Sequence, residues 1–95
     1  MNQTELIAII GKTRNDGLTG LDLSKEDLES LPAEIGDLTD LLELDLSGNL
    51  LTELPPEIGK LTNLTRLNIR NNQLTALPPE IGNLKNLIGL YVQSN

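Results

Sequence analysis

The sequence predicts an α/β fold: a right-handed solenoid with a short parallel β-sheet on its concave face, 3-10 turns and loops on its convex face, and an α-helix capping the N-terminal end. Three observations predict it. Leu21, Leu44, Leu67 and Leu90 recur every 23 residues, as do Leu23, Leu46, Ile69 and Val92. Residues 41–63 and 64–86 are identical at 13 of 23 positions. Residues 3–15 lie outside this period and read as a helix. A fixed period of this length implies stacked units that shield one another's apolar residues.

The helix comes first. Asn2 can cap it, with Glu5 three residues on, a capping-box-like start. Leu6, Ile7, Ile9 and Ile10 form an apolar stripe expected to cover the first strand. Lys12 and Arg14 fall in the last turn, where the helix dipole favours cations, and Asn15-Asp16-Gly17 ends it. Units then run over 18–40, 41–63 and 64–86, with a partial unit at 87–95. The 95 residues make one domain.

Within a unit, Leu44 and Leu46 alternate with Glu43, Asp45 and Ser47, and Leu67 and Ile69 alternate with Arg66, Asn68 and Arg70. That is the period of a strand with one buried face. Asn49, Asn72 and Asn95 follow the strands and are expected to form a ladder, since a buried amide offers two donors and an acceptor to turning backbone. Glu26 occupies the equivalent place in the first unit. A buried, unpaired carboxylate is costly, so that unit is expected to be irregular and partly exposed there.

After the strand each unit turns. Pro55 and Pro56 cannot sit in a central ladder, and Pro56 can open a short helical turn. Ile58, Leu61 and Leu64 are then spaced by three, the mark of 3-10 rather than α geometry. Gly36, Gly59 and Gly82 are expected where a side chain would clash or φ is positive.

Composition narrows the function. There is no Cys and no His, so a disulfide framework is excluded and the commonest metal ligands are missing. No cofactor is expected. No apolar run is long enough to span a bilayer, and the start, MNQTELIAII, does not read as a signal peptide. The expected setting is cytoplasmic. Asn2-Gln3-Thr4 and Asn63-Leu64-Thr65 match the glycosylation pattern, but with no visible secretory route they carry no weight. The net charge is −7 and unevenly spread. Residues 1–57 hold 13 acidic and three basic side chains, whereas residues 58–95 hold one acidic and four basic. The acidic half would repel phosphates, and Tyr91 is the single aromatic residue, so nucleic acid is not an expected partner. Nor is a membrane, because the helical stripe is short and its polar face weakly basic.

Catalysis finds no support. Gly11-Lys12-Thr13 looks like the end of a phosphate loop, but Leu6 stands where the pattern needs glycine, and the tripeptide closes a helix. Ser24, Ser30, Ser47 and Ser94 have no histidine base. The carboxylates Asp22, Glu43 and Asp45 lie on an open sheet face with nothing to raise a pKa.

The variable strand positions are the candidate site. One row across the sheet is Asp22, Asp45, Asn68, Tyr91. Beside it run Gly20, Glu43, Arg66, Gly89 and Ser24, Ser47, Arg70, Gln93. Repeat arrays bind on such concave surfaces, and Tyr and Arg dominate interface hot spots. The expected protein-binding residues are Asp22, Glu43, Asp45, Arg66, Asn68, Arg70, Tyr91 and Gln93, with Tyr91, Arg66 and Arg70 as the contact cluster. Leu90, Tyr91 and Val92 form an unpaired last edge. Either the chain continues as a longer solenoid, or this edge pairs with a second copy to give a homodimer.

Leu41, Leu44, Leu46, Asn49 and Leu51 spell LxxLxLxxNxL, the leucine-rich repeat pattern. With LPPEIGxLxxL in successive units, residues 18–95 resemble intracellular leucine-rich repeat proteins: bacterial and cyanobacterial ones, the plant Ras-group-related type and the repeat domains of Roco GTPases. The resemblance implies a curved solenoid that binds proteins on its concave face. It implies neither a particular partner nor GTPase activity, since no GTPase module is present.

Overall fold

Four three-residue strands, β1 (Gly20–Asp22), β2 (Glu43–Asp45), β3 (Arg66–Asn68) and β4 (Gly89–Tyr91), form one parallel sheet in chain order in the computed structural model, which describes residues 1–95. Their register steps by 23: Gly20 pairs with Glu43, Glu43 with Arg66 and Arg66 with Gly89. Parallel strands need a crossover, and here each crossover is the rest of one unit. It runs through a five-residue 3-10 turn: Ala33–Asp37, Pro56–Lys60 and Pro79–Asn83. Pro56 and Pro79 open the second and third turns, where the missing N–H removes no helical bond.

Between sheet and turns lies one core of 19 buried apolar residues, from Leu6 to Leu84. Leu44, Leu46, Leu51, Leu54, Ile58, Leu61 and Leu64 are all in it. The turns stack as closely as the strands. A Cβ on Gly36 would lie 3.0 Å from the Glu57 carbonyl oxygen, and one on Gly59 would lie 2.8 Å from that of Glu80. Neither glycine has positive φ, so close approach of the next unit is the reason for both. Gly82, in the last turn, meets nothing within 4 Å.

The asparagines hold successive units together. Asn49 Nδ2 donates to the carbonyls of Leu23 and Leu46, both at 2.9 Å, and Oδ1 accepts from the N–H groups of Glu26 and Leu28, both at 3.0 Å. Asn72 donates to Leu46 and Ile69 and accepts from Leu51. Asn95, more exposed, donates to Ile69 and Val92 and accepts from Leu74. A second rung escaped the sequence reading. Asn63 and Asn86 donate to the carbonyls of Thr39 and Thr62, each at 2.8 Å. No buried side-chain polar atom lacks a partner.

Helix α1 (Gln3–Asn15) begins with the Asn2 side chain accepting from Glu5 N–H at 2.8 Å. It ends in a Schellman arrangement: Leu18 N–H reaches the Thr13 carbonyl, Gly17 N–H reaches that of Arg14, and Gly17 has φ +63°. Two expectations need correction. The buried face is Leu6, Ile10 and Thr13, with Ile9 half-buried and Ile7 exposed. The helix also packs chiefly against the Ala33–Asp37 turn rather than over β1. Contacts from its start set that placement. The Met1 ammonium donates to the Glu26 carbonyl and Gln3 Nε2 to that of Ser30, drawing the helix toward the segment beyond β1. The first unit is irregular, with Glu26 half-buried and Asp27 at a positive φ that no later unit repeats.

Candidate functional site

Each strand presents on the concave face the residues on either side of its central leucine, because alternate side chains leave a strand on opposite sides. The 23-residue register converts this alternation into rows. Asp22, Glu43, Asp45, Arg66, Asn68, Arg70 and Tyr91 line one open trough of about 490 Å³. Gln93 stands beside it, its Oε1 accepting from Arg70 Nε at 3.0 Å. The carboxylates lie on β1 and β2. The guanidiniums lie on or just beyond β3, and Tyr91 lies on β4.

Several of these side chains also serve the fold. Asp22 Oδ1 accepts from Ser24 N–H (2.9 Å) and Oγ–H (2.6 Å), and Asp45 makes the same pair with Ser47. Asn68 Oδ1 accepts from Arg70 N–H at 3.1 Å. These Asx turns steer the chain off the end of each strand. In both aspartates Oδ2 stays outside the turn. Tyr91 breaks the series on β4. The Ser24 hydroxyl, then its N–H, holds the Asp22 carboxyl below its usual value, with slight burial opposing. Asp22 is thus ionised at neutral pH and unsuited to general-acid work.

The basic end is pre-shaped. The Arg70 guanidinium carbon lies 4.5 Å from the centroid of the Tyr91 ring, within cation–π range. Gly89 makes room for that ring: a Cβ there would lie 2.7 Å from the tyrosine oxygen. Arg66, on the neighbouring row, is exposed. It pairs in register with Glu43, yet the protein's one ion pair within 4 Å is Lys12–Asp16, on the helix. The concave charges are therefore not spent on each other. Nowhere do three acidic side chains converge to hold a cation. The Gly11-Lys12-Thr13 tripeptide lies inside α1, with the Thr13 hydroxyl bonded to the Ile9 carbonyl, so it forms no phosphate loop.

The residues of the last edge separate. Tyr91 is half-buried on the concave face, whereas Leu90 and Val92 are 37% and 43% exposed. Val92 lines a shallow apolar groove with Ile69, Leu74 and Leu77. Leu42, Leu50 and Ile88 are exposed on the flanks.

Comparison with known proteins agrees with this geometry. A family described as leucine-rich repeat region matches residues 17–95. A solved leucine-rich repeat protein of Leptospira interrogans superposes with a TM-score of 0.70 at 34% sequence identity. That match covers 97% of this chain, which spans 34% of the Leptospira chain's length. No curated protein matches. No helix here is long and apolar enough to cross a membrane.

Proposed function

Because the chain belongs to the leucine-rich repeat family, we propose that it is a non-catalytic, cytoplasmic scaffold that binds another protein on its concave sheet face. One observation carries the reading: the trough gathers acidic, basic and aromatic side chains whose charges are not paired with one another. Glu43 and Arg66, which make no ion pair and hold no turn, add little to stability and are free to change with the partner. Lining by Tyr91 and two arginines supports a protein partner, since these types concentrate binding energy. The test is capture from the source cell with three baits. Arg66→Glu/Arg70→Glu is expected to lose the bound protein, while Lys60→Glu/Lys85→Glu, on the convex side, keeps it. Equal capture by all three would overturn the reading.

A second reading has two copies of the chain joined through the β4 edge. The exposure of Leu90 and Val92 beside the apolar groove favours it. Light scattering after size exclusion, at tens of micromolar, decides between a dimer and a monomer.

A further inference from the structure

We propose that the concave trough selects an extended peptide segment by charge order: a basic side chain seated on the β1–β2 half and an acidic one, about four residues away, on the β3–β4 half. The inference rests on the protein-binding reading and adds the chemistry of the bound segment. Asp22, Glu43 and Asp45 supply carboxylates on the first two strands, and Arg66 and Arg70 supply guanidiniums at the third. No chain segment covers this face, and Glu43 and Arg66, although paired in register, form no ion pair.

Geometry sets the spacing. Neighbouring strands lie about 4.8 Å apart, so the step from β1 to β4 is about 14 Å. Arg70 reaches toward β4, where it lies against Tyr91. An extended peptide rises about 3.3 Å per residue, so positions i and i+4 are about 13 Å apart and on the same side of the segment. A segment crossing the strands can thus place one charge over Asp22 and the opposite one beside Arg70. The Arg70–Gln93 bond and the Tyr91 ring hold that guanidinium in place beforehand, which lowers the ordering cost of binding. The arrangement also rejects wrong partners, because a doubly acidic segment meets Asp22 and Asp45, and a doubly basic one meets Arg66 and Arg70.

The probes are four seven-residue peptides on a Ser/Ala background. They carry Lys and Glu four apart, Lys and Glu adjacent, Lys and Lys four apart, or Glu and Glu four apart. Each is titrated into the whole chain and followed by amide NMR shifts. The Lys/Glu pair four apart is expected to bind on the order of fivefold more tightly than the others, with shifts confined to strand residues and lost at high salt. Arg66→Glu/Arg70→Glu should move the preference to the Lys/Lys peptide, and Glu43→Lys should move it toward Glu/Glu. Equal affinity for all four peptides, no binding by any, or variants that leave the order unchanged would overturn the proposal. Concave shifts without charge discrimination would overturn it alone and leave the protein-binding reading intact. That reading fails separately, through capture that ignores concave substitutions.

Discussion

Arg70 lies over the ring of Tyr91, with 4.5 Å between its guanidinium carbon and the ring centroid. The two belong to successive units, so the contact exists only when the units stack in register. Tyr91 is the single aromatic residue in the chain, which makes its near-ultraviolet circular dichroism a report on this one place. Both Arg70→Ala and Gly89→Ala should weaken that signal. The first removes the cation, and the second puts a Cβ where the tyrosine oxygen lies, 2.7 Å away. Thermal midpoints should hardly move, because the ring is the free end of a side chain and can swing outward. A preserved tyrosine signal in both variants would count against the packing described.

The stacked turns offer a comparison with its own control. At Gly59 a Cβ meets the Glu80 carbonyl oxygen and Cβ, each at 2.8 Å, and backbone cannot yield as a side-chain tip does. Gly59→Ala should destabilise by about 1–3 kcal/mol, the usual cost of overpacking. Gly82→Ala, with nothing within 4 Å, should lie within about 0.5 kcal/mol of the parent. Urea unfolding of the two variants checks the difference. Equal midpoints would mean that the turns do not stack as closely as described.

Asn72 ties two units through buried backbone groups. Replacing it with Ala strands the N–H of Leu51 and removes a donor from the carbonyls of Leu46 and Ile69. A buried polar group left unpaired costs about 1–3 kcal/mol, so Asn72→Ala should lose at least about 2 kcal/mol. Asn95→Ala, where solvent can replace the amide, should lose less. Denaturant titration orders the two variants.

Most of this fold was legible because period and alternation are the same signal read at two scales. Once Leu21, Leu44, Leu67 and Leu90 are seen to recur, strand register and the concave rows follow, and the trough contains Asp22, Glu43, Asp45, Arg66, Asn68, Arg70 and Tyr91. The turns were harder. Lys25, Gly48, Asn71 and Ser94 all have positive φ at one place in the unit, but only one is glycine, so no residue type marks the position. The Asn63 and Asn86 bonds were hidden because each asparagine reaches back to the preceding unit from an exposed loop. The helix was misplaced for a related reason: periodicity finds an apolar stripe, whereas the neighbour it meets depends on isolated contacts such as that of Gln3 with Ser30. The Asx turns of Asp22 and Asp45 give those residues a local duty that the row pattern alone could not show.

That duty has a pH signature. The Asp22 carboxyl accepts two bonds from Ser24, its hydroxyl first, and these lower its pKa from the ordinary 3.8. A carboxyl whose folded value is depressed stabilises the fold fully above its unfolded pKa, and the contribution fades as pH falls through the lowered folded value. Ser24→Ala removes the stronger of the two bonds. The stability gap between parent and Ser24→Ala should therefore be constant near neutral pH and narrow below pH 3.8, closing further as the folded-state carboxyl takes up its proton. The gap stays small, since Asp22 is exposed and solvent screens much of the effect. Paired urea titrations from pH 6 downward give the measurement. A gap that widened on acidification would mean that the Ser24 hydroxyl favours the protonated acid, opposite to the geometry at Oδ1.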